Sequence, residues 1–419
     1  MSDSKWQHSI LQGIGTRIEV FAELYPRPYL WCMTAFALLG YACLLLFPLL
    51  ALAGVAGIVR SLAASPGVAW LPLSGWLLAT VFGGLVSYRL FRFRHCLPAG
   101  VVLARAQAPA LFQLVEAIGE HYASPGIDRI LVTDGYQLDV VKTPVLALPV
   151  WSTRTLLVGL PLLQCLSGPR LQCALARRLG QFSGQDNALL NWLYALRSIW
   201  PAYHETMHGT IPACLPVRAL FTVYAPLYMA LSTAAARLDE LQADSYAMEL
   251  FSDEDMLDTV TTDAVHRQFL RESYWPTIRR LRKQDAAVVT NTHVRMATVM
   301  RAGLQDNNLA RWVEQAMMAE QQWDDPWPSL VRRLENIGHA QAAMTGDVTG
   351  TAAEAFLAIP GAKLDAALGD LPPPQIPQLP SLQERIRLLG RAVETAAHDL
   401  LHRLRHLAHP GQPTGEAKR

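Results

Sequence analysis

One short segment of the chain contains the residue types of a zinc-dependent hydrolase. It reads His204-Glu205-Thr206-Met207-His208, a literal His-Glu-x-x-His motif. On a helix the two histidines would lie one turn apart on one face, where they could bind zinc. Glu205 could then act as the general base on a metal-bound water. Glu240 follows at a separation that suits a third zinc ligand. Taken alone, this motif predicts an active zinc-dependent metalloendopeptidase.

The surroundings of residues 204–208 favour a different interpretation. The motif lies between Pro201 and Pro212, which leaves room only for a short helix. Its flanks also lack the apolar face that would bury such a helix against a core. We therefore interpret the segment as a surface or linker element and keep the zinc site as the alternative.

A second group of segments is informative through its order along the chain. An apolar, strand-like run is followed by two segments with helical periodicity, at residues 154–163, 174–184 and 237–244. In this order they resemble the membrane zinc metallopeptidase family that includes HtpX and the CaaX prenyl protease. The likeness extends over most of residues 97–390. It implies an α+β, mostly helical, zincin-like (metallopeptidase-like) domain.

The same resemblance shows where the chain departs from the family. The family's zinc helix reads Ala-His-Glu-Leu-Gly-His-Phe-Ser-Gly. The resemblance places Arg177 and Gln181 at the two histidine positions and Arg178 at the glutamate. Arginine is always protonated and offers only hydrogen-bond donors, so it cannot ligate a cation. The amide oxygen of Gln181 is a weak zinc ligand. We therefore expect no catalytic residue and no cofactor here, and zinc belongs only to the alternative at residues 204–208.

The acidic helix of the resemblance is retained. Glu240 matches the third zinc ligand, and Asp244 matches the acid that supports the metal ligands. With cations opposite them, we expect these carboxylates to form ion pairs with Arg177 or Arg178 in a vestigial site.

Two further departures from the family pattern also indicate that the catalytic positions are altered. Residues 138–139 read Leu-Asp where the family has Asn-Ala, and residues 379–382 read Leu-Pro-Ser-Leu where it has His-Pro-Ser-Leu.

The N-terminal sequence predicts two transmembrane helices. Residues 28–59 carry no charge, and a second uncharged run over residues 61–88 follows Arg60. Each run exceeds the about 20 apolar residues that span a bilayer core. Ser65-Pro66-Gly67 between them indicates a tight turn. We expect a cytosolic lead-in over residues 1–28 and a transmembrane hairpin over residues 29–88.

Charge and cysteine content predict the location of the main domain. Basic residues flank the hairpin on its two outer sides, at positions 5, 17, 27, 89, 92 and 94. The positive-inside bias then places both termini and the main domain in the cytosol of a bacterial-type inner membrane. None of the six cysteines forms a Cys-x-x-Cys pair, which fits a reducing compartment. The net charge of +1 gives no indication of a nucleic-acid partner, and none is expected.

The remaining sequence predicts one domain over residues 97–409 and a polar tail over residues 410–419. Strand-like segments occur at 129–133, 140–150 and 155–159, and helical segments at 111–122, 171–182, 188–200 and 381–407. Pro201 is expected to end the helix at 188–200. The apolar run at 216–236, interrupted by Arg218 and Pro226, is interpreted as a core or interfacial helix. A third membrane-embedded helix is its alternative.

Together these features predict a catalytically inactive, membrane-anchored metallopeptidase homologue that binds or regulates a polypeptide partner. The strand at 155–159 is the expected edge to which a bound peptide would add. Two alternatives remain: an active zinc metalloendopeptidase using residues 204–208, and a structural membrane scaffold with a filled cleft. The sequence predicts neither the identity of the partner nor the oligomeric state.

Overall fold

The computed structural model describes residues 17–64, 70–91, 97–144, 152–183, 188–206, 215–284, 292–319, 325–344 and 350–369. Several sequence-based expectations lie outside these ranges. They are the turn at 65–67, His208, the Leu-Pro-Ser-Leu segment at 379–382, the helix at 381–407, the domain end at 409 and the tail at 410–419.

The N-terminal region is a helical hairpin. Helix α1 covers residues 17–24, α2 runs over Pro26–Ala64 and α3 over Trp70–Phe91. Helices α2 and α3 are long and apolar enough to span a bilayer, so the chain has two candidate transmembrane helices near its N-terminus. Small residues allow their close contact. A Cβ added at Gly83 would lie 2.7 Å from the backbone nitrogen of Ala51.

Helix α2 also joins the hairpin to the helices that follow. It has 39 residues, which corresponds to about 58 Å at the rise of an α-helix, well beyond the about 30 Å of a hydrocarbon core. Near its N-terminus, Tyr29, Met33 and Ala37 are buried in one cluster with Trp200 and Tyr228. These two belong to α7 (Ala188–Thr206) and α8 (Leu215–Leu231). The hairpin and the helical domain therefore share a core.

Four strands form one small mixed sheet. They are β1 (Gly100–Leu103), β2 (Arg129–Thr133), β3 (Leu138–Pro144) and β4 (Ser152–Gly159). Their order is β1-β2-β4-β3, with β2 and β4 parallel and the other two pairs antiparallel. Helix α4 (Pro109–His121), the predicted helix of residues 111–122, shares its core with the sheet.

The expectation that residues 155–159 form an edge strand is wrong. They belong to β4, which pairs with β2 on one side and β3 on the other. The unbroken apolar run Thr155-Leu-Leu-Val-Gly159 is typical of a strand covered on both faces, but it does not state whether both edges of the strand are paired. Leu156 and Val158 are fully buried. Among the described residues the edge strands are β1 and β3.

Helices make up most of the remaining chain. In order they are α5 (Leu160–Cys165), α6 (Gly168–Ser183), α9 (Thr233–Met248), α10 (Asp253–Phe269), α11 (Trp275–Gln284), α12 (Thr292–Gly303), α13 (Asp306–Met317), α14 (Leu330–Asn336), α15 (Ala352–Phe356) and α16 (Gly361–Gly369). The predicted helix at 171–182 is confirmed as α6. A π-helical turn, Leu270–Tyr274, connects α10 to α11.

Pro201 does not end its helix, contrary to the sequence-based expectation. Helix α7 continues through it to Thr206. An internal proline costs about 3 kcal/mol in helix stability, so tertiary contacts must offset it. The neighbouring Trp200 is fully buried, and its ring centroid lies 5.0 Å from that of Tyr41 in α2 and 5.8 Å from that of Phe221 in α8. Packing of this indole holds the helix across the proline.

The apolar run at 216–236 is divided between two helices. Helix α8 contains Pro226 within it, and α9 begins at Thr233 after a bend of 45°. Phe221 and Tyr228 of α8 are buried against α2 and α7, while Val223 is exposed. By length and composition α8 and α9 could form a third span only as this bent pair.

Candidate functional site

The candidate site lies between α6 and α9, which approach each other closely. Gly180 of α6 makes this approach possible, because a Cβ there would lie 2.5 Å from the Cβ of Tyr246 in α9. Across this contact α6 presents Arg177, Arg178 and Gln181, and α9 presents acidic side chains. All of these side chains are buried. The two helices that the sequence singled out are therefore direct neighbours.

Arg177 connects the two acidic residues of α9 that were predicted for the site. Its Nε donates to Oδ1 of Asp244 at 2.5 Å, and its Nη2 forms an ion pair with Oε2 of Glu240. Glu240 and Asp244 are fully buried and lie one helical turn apart. One guanidinium therefore bridges two carboxylates, and the expected ion pairs are present.

Arg178 and Gln181 complete the contact with α9. Arg178 Nη1 donates to Oε1 of Glu240 at 2.8 Å and to Oε1 of Gln181 at 2.6 Å. The amide nitrogen of Gln181 donates to Oδ2 of Asp239 at 2.7 Å. The hydroxyl of Tyr194 in α7 also donates to Oε1 of Glu240, at 3.3 Å. Both oxygens of Glu240 are thus engaged by donors.

Arg333 is a member of the cluster that the sequence analysis missed. It lies in α14 and donates through Nε and Nη2 to the two oxygens of Asp244, at 2.9 and 2.7 Å. A sequence signal existed. The Pro-Ser-Leu triplet that was matched at 380–382 also occurs at 328–330, directly before α14. The triplet at 328–330 indicates the start of the helix that contains Arg333.

An aromatic ring and a further ion pair cover one side of the cluster. The guanidinium carbons of Arg178 and Arg267 lie 4.6 and 4.0 Å from the ring centroid of Trp327, a cation–π arrangement. Arg267 also pairs with Asp263 at 3.0 Å within α10. Trp327 directly precedes the Pro-Ser-Leu triplet at 328–330, so the same sequence signal indicates it, whereas the α10 pair lies in a segment that carries no recognisable motif.

The electrostatics of the cluster favour the charged state of Glu240. Burial alone would raise the pKa of Glu240, but the positive charges of Arg178 and Arg177 outweigh burial and lower it to about 2. Burial raises the pKa of Asp239 to about 7, because its hydrogen bond from Gln181 compensates only in part. The carboxylate central to the cluster is therefore a poor proton acceptor near neutral pH.

These residues do not fit a zinc ion. Arginine side chains stand where the resemblance would require imidazole ligands, and they already pair with the carboxylate that would be the third ligand. Among the residues that the structure describes, no group of three or more histidine, cysteine, aspartate or glutamate side chains is arranged to hold a metal ion. The arrangement is an ion-pair network that joins four helices.

The alternative zinc site at residues 204–208 requires Glu240 as its third ligand. His204 and Glu205 fall in the last turns of α7, but their side chains, like the whole of His208, lie outside the described residues. Glu240, the third ligand of that alternative, is fully buried and engaged by Arg177 and Arg178. A zinc site that used Glu240 would have to displace both guanidinium groups.

Strand β3 runs beside the cluster and forms an edge of the sheet. Burial raises the pKa of Asp139 in β3, and the nearby charge of Arg178 opposes that shift. Lys142 of β3 holds the strand on α6, because its Nζ lies 4.5 Å from the ring centroid of Phe182. The edge of the sheet and the ion-pair cluster therefore form one contiguous region.

Comparison of the chain with protein-family models, with curated proteins and with solved structures finds no match in any of the three.

Proposed function

We propose that the chain is a membrane-anchored pseudopeptidase with a zincin-like domain, which binds an extended polypeptide along the outer edge of β3. In this proposal the two candidate spans α2 and α3 anchor it in a bacterial-type inner membrane, with the main domain in the cytosol. The observation that carries the proposal is the buried contact of Arg177 and Arg178 with Glu240.

The loss of hydrolytic chemistry follows from that contact. A metallopeptidase needs an open metal position and a base that accepts a proton from water. Here the pKa of Glu240 is lowered to about 2, and three donors occupy its oxygens. Opening the site would break buried ion pairs, which costs about 3–5 kcal/mol for each pair that is left uncompensated. The cluster therefore serves as a structural support.

Retention of peptide binding is supported by the geometry of β3. Gly159 donates to the carbonyl of Gln137 at 2.8 Å, and β3 and β4 are antiparallel in a register that pairs Leu138 with Val158. Backbone bonding alternates along such a pair, so the N–H and C=O groups of Leu138, Val140 and Lys142 point away from β4. Within the described ranges, no strand pairs with this side of β3.

The edge is partly protected already. The backbone N–H of Val140 donates to Oδ1 of the adjacent Asp139 at 2.8 Å. A local acceptor of this kind discourages uncontrolled strand pairing. A peptide strand would exchange that bond for one of its own and would use the outward groups of Leu138 and Lys142 directly. The edge is thus suited to reversible binding.

The competing proposal is an active zinc metalloendopeptidase with His204, His208 and Glu240 as ligands and Glu205 as base. The two proposals differ in metal content and turnover. Purified full-length protein in detergent should contain less than one tenth of a zinc ion per chain and should not cleave unfolded casein. His204→Ala and Glu205→Gln should change neither result. Stoichiometric zinc, or chelator-sensitive cleavage that is lost in Glu205→Gln, would establish the peptidase instead.

Peptide binding is tested separately by fluorescence anisotropy with an extended, labelled peptide library. Lys142→Pro removes an outward N–H, whereas Lys142→Ala removes the same side chain and keeps the N–H. We expect Lys142→Pro to weaken binding at least tenfold relative to Lys142→Ala, with similar thermal midpoints for both. Equal affinities in the two variants would exclude β3 as the docking edge.

A further inference from the structure

A cavity of about 740 Å³ opens at the N-terminal end of β3. Its wall includes residues 135–137, the segment that leads directly into Leu138 at the start of the edge strand. Other lining residues come from α10, α11 and the segment of Trp327 and Pro328. Trp327 also covers the ion-pair cluster, so the cavity is a continuation of the same region.

The charge of this cavity is predominantly positive. Arg267, Arg271 and Arg279 line it, and Asp325 is its one acidic lining residue among those described. Asp325 is used locally, because its Oδ1 accepts from the backbone N–H of Trp327 at 2.9 Å. The lining therefore carries a net charge of about +2 at neutral pH, by the charges of these side chains.

The three arginines differ in how strongly they are already engaged. Arg267 is held by Asp263 and by Trp327. Among the described residues, Arg271 has an exposed ion pair with Glu272 at 3.3 Å and a hydrogen bond with Gln268. In the described part of the chain, the one hydrogen bond of the Arg279 side chain goes to the carbonyl of Trp275 at 3.3 Å. Arg271 and Arg279 therefore retain donors for an anion.

The backbone of this wall has an unusual conformation. Leu270 and Arg271, both lining residues, lie in the π-helical turn between α10 and α11. Such turns occur often at functional sites, because they redirect side chains out of the regular helical pattern. The side chain of Trp275, the first residue of α11, also lines the cavity. An aromatic surface thus lies beside the two available guanidinium groups.

The direction of β3 determines which part of a bound peptide would reach the cavity. Antiparallel pairing is the more stable geometry for an added strand. In that geometry the C-terminal side of the peptide lies at Leu138, next to the cavity, and its N-terminal side lies at Pro144. A peptide of the opposite direction would place its N-terminal side there.

We infer that the cavity is a specificity pocket for carboxylates, which Arg271 and Arg279 bind on the C-terminal side of a peptide paired with β3. The partner is thus a polypeptide with an extended segment followed by acidic side chains or by its own terminal carboxylate. This inference rests on the proposed binding of a peptide at the edge of β3, and it adds the chemistry of the partner. Guanidinium groups suit carboxylates because they offer a planar pair of donors.

The test uses full-length protein in nanodiscs of neutral lipid and three labelled peptides with the same extended apolar segment, each with an amidated C-terminus so that glutamate side chains are the only carboxylates. One peptide carries two glutamates after the segment, one carries them before it, and one carries glutamines after it. We expect the first to bind about tenfold more tightly than the other two, a difference of about 1.4 kcal/mol. The double variant Arg271→Glu/Arg279→Glu should lose this preference and keep the affinity for the glutamine peptide. Arg280→Glu, in an exposed neighbour that does not line the cavity, should behave as wild type.

Each other outcome has a distinct meaning. If all three peptides bind equally, the pocket inference is wrong while edge binding stands. If none binds, the proposed function itself fails. A preference for glutamates before the segment, or one that survives Arg271→Glu/Arg279→Glu, overturns the inference. If nanodiscs of anionic lipid abolish the preference of the wild type, the pocket recognises lipid headgroups, and the assignment to a peptide is wrong.

Discussion

Nε of Arg177 lies 2.5 Å from Oδ1 of Asp244, and Arg333 donates to the same oxygen at 2.7 Å. Two guanidinium groups from helices distant in sequence therefore share one fully buried carboxylate. Removing such a carboxylate or its partners exposes the large cost of an unpaired buried charge. Substitutions in the cluster should therefore lower the free energy of unfolding by a measurable amount.

The first prediction concerns Arg177. Arg177→Met keeps the volume but removes the cation that bridges Glu240 and Asp244, so we expect a loss of about 3 kcal/mol in the free energy of unfolding. Chemical denaturation of the solubilised protein measures it. Arg332→Met is the matched control, because Arg332 pairs with Glu19 and Glu23 near the surface and should contribute less than about 1 kcal/mol. Equal losses in the two variants would contradict the central role of Arg177.

The second prediction concerns a metal-binding set built at the position of the ion-pair cluster. The triple variant Arg177→His, Arg178→Glu and Gln181→His places two imidazoles one turn apart on α6, opposite Glu240. We expect it to bind about one zinc ion per chain, with a thermal midpoint that rises when zinc is added. Alanine at the same three positions empties the same space without supplying ligands and should bind none. If the triple variant binds no zinc, the spacing of α6 and α9 does not suit a metal site.

Helical spacing places Arg177 with Gln181 on one face of a helix and Glu240 with Asp244 on one face of another. That the two faces lie opposite each other was implied only by the resemblance to the metallopeptidase family. Asp239 was missed because its neighbour Glu240 matched the motif, although Asp239 also reaches α6. Arg267 was missed because no motif marks α10 and tertiary contacts alone bring this residue to Trp327 and the cluster.

The sheet shows a second limit of sequence reasoning. The segments of β2 and β4 could be recognised from apolar runs, but such runs do not state which strand lies at the edge. Thr155–Gly159 was placed at the edge, whereas β4 is central. One of the two edge strands, β3, has an acidic residue, Asp139, and a lysine, Lys142, as edge strands often do. Attention to those charges would have favoured β3.

The third prediction concerns pH and Asp239. Its pKa in the folded chain is raised by burial to about 7, from an ordinary value of 3.8. Between these values the unfolded chain loses the proton while the folded chain keeps it. Stability therefore falls as pH rises through this window. The lowered pKa of Glu240 acts in the opposite direction, and its contribution is lost as pH falls from about 4.5 towards 2. Burial lowers the pKa of His266 in α10 from 6.5 to about 4, and this shift opposes that of Asp239 between about pH 4 and pH 6.5. The contribution of Asp239 is therefore measured as a difference from a variant that lacks its titration.

Asp239→Asn separates the two effects. Asparagine keeps an acceptor for the amide of Gln181 but does not titrate, and His266 is common to both proteins. The thermal midpoint of the wild type relative to that of the variant should therefore fall as pH rises from about 4 to 7. Below pH 4 both proteins should lose stability together, because Glu240 is common to them. A difference between wild type and variant that stays constant from about pH 4 to pH 7 would show that Asp239 is charged in the folded chain.

The fourth prediction tests the alternation of backbone groups along β3. Only every second residue of β3 directs its N–H and C=O groups outward, because β4 takes the intervening ones. A peptide strand added there must likewise use every second N–H. Methylation of single backbone nitrogens in the bound segment should therefore weaken binding with a period of two residues. Each effective position should lose about 1 kcal/mol or more, the worth of one hydrogen bond and its steric fit. Alternate positions should lose little. Anisotropy titrations of the methylated series measure this loss of affinity.

Two other patterns of sensitivity would exclude strand addition at this edge. A period near three or four residues would indicate a peptide bound as a helix. Uniform sensitivity would indicate contacts through side chains.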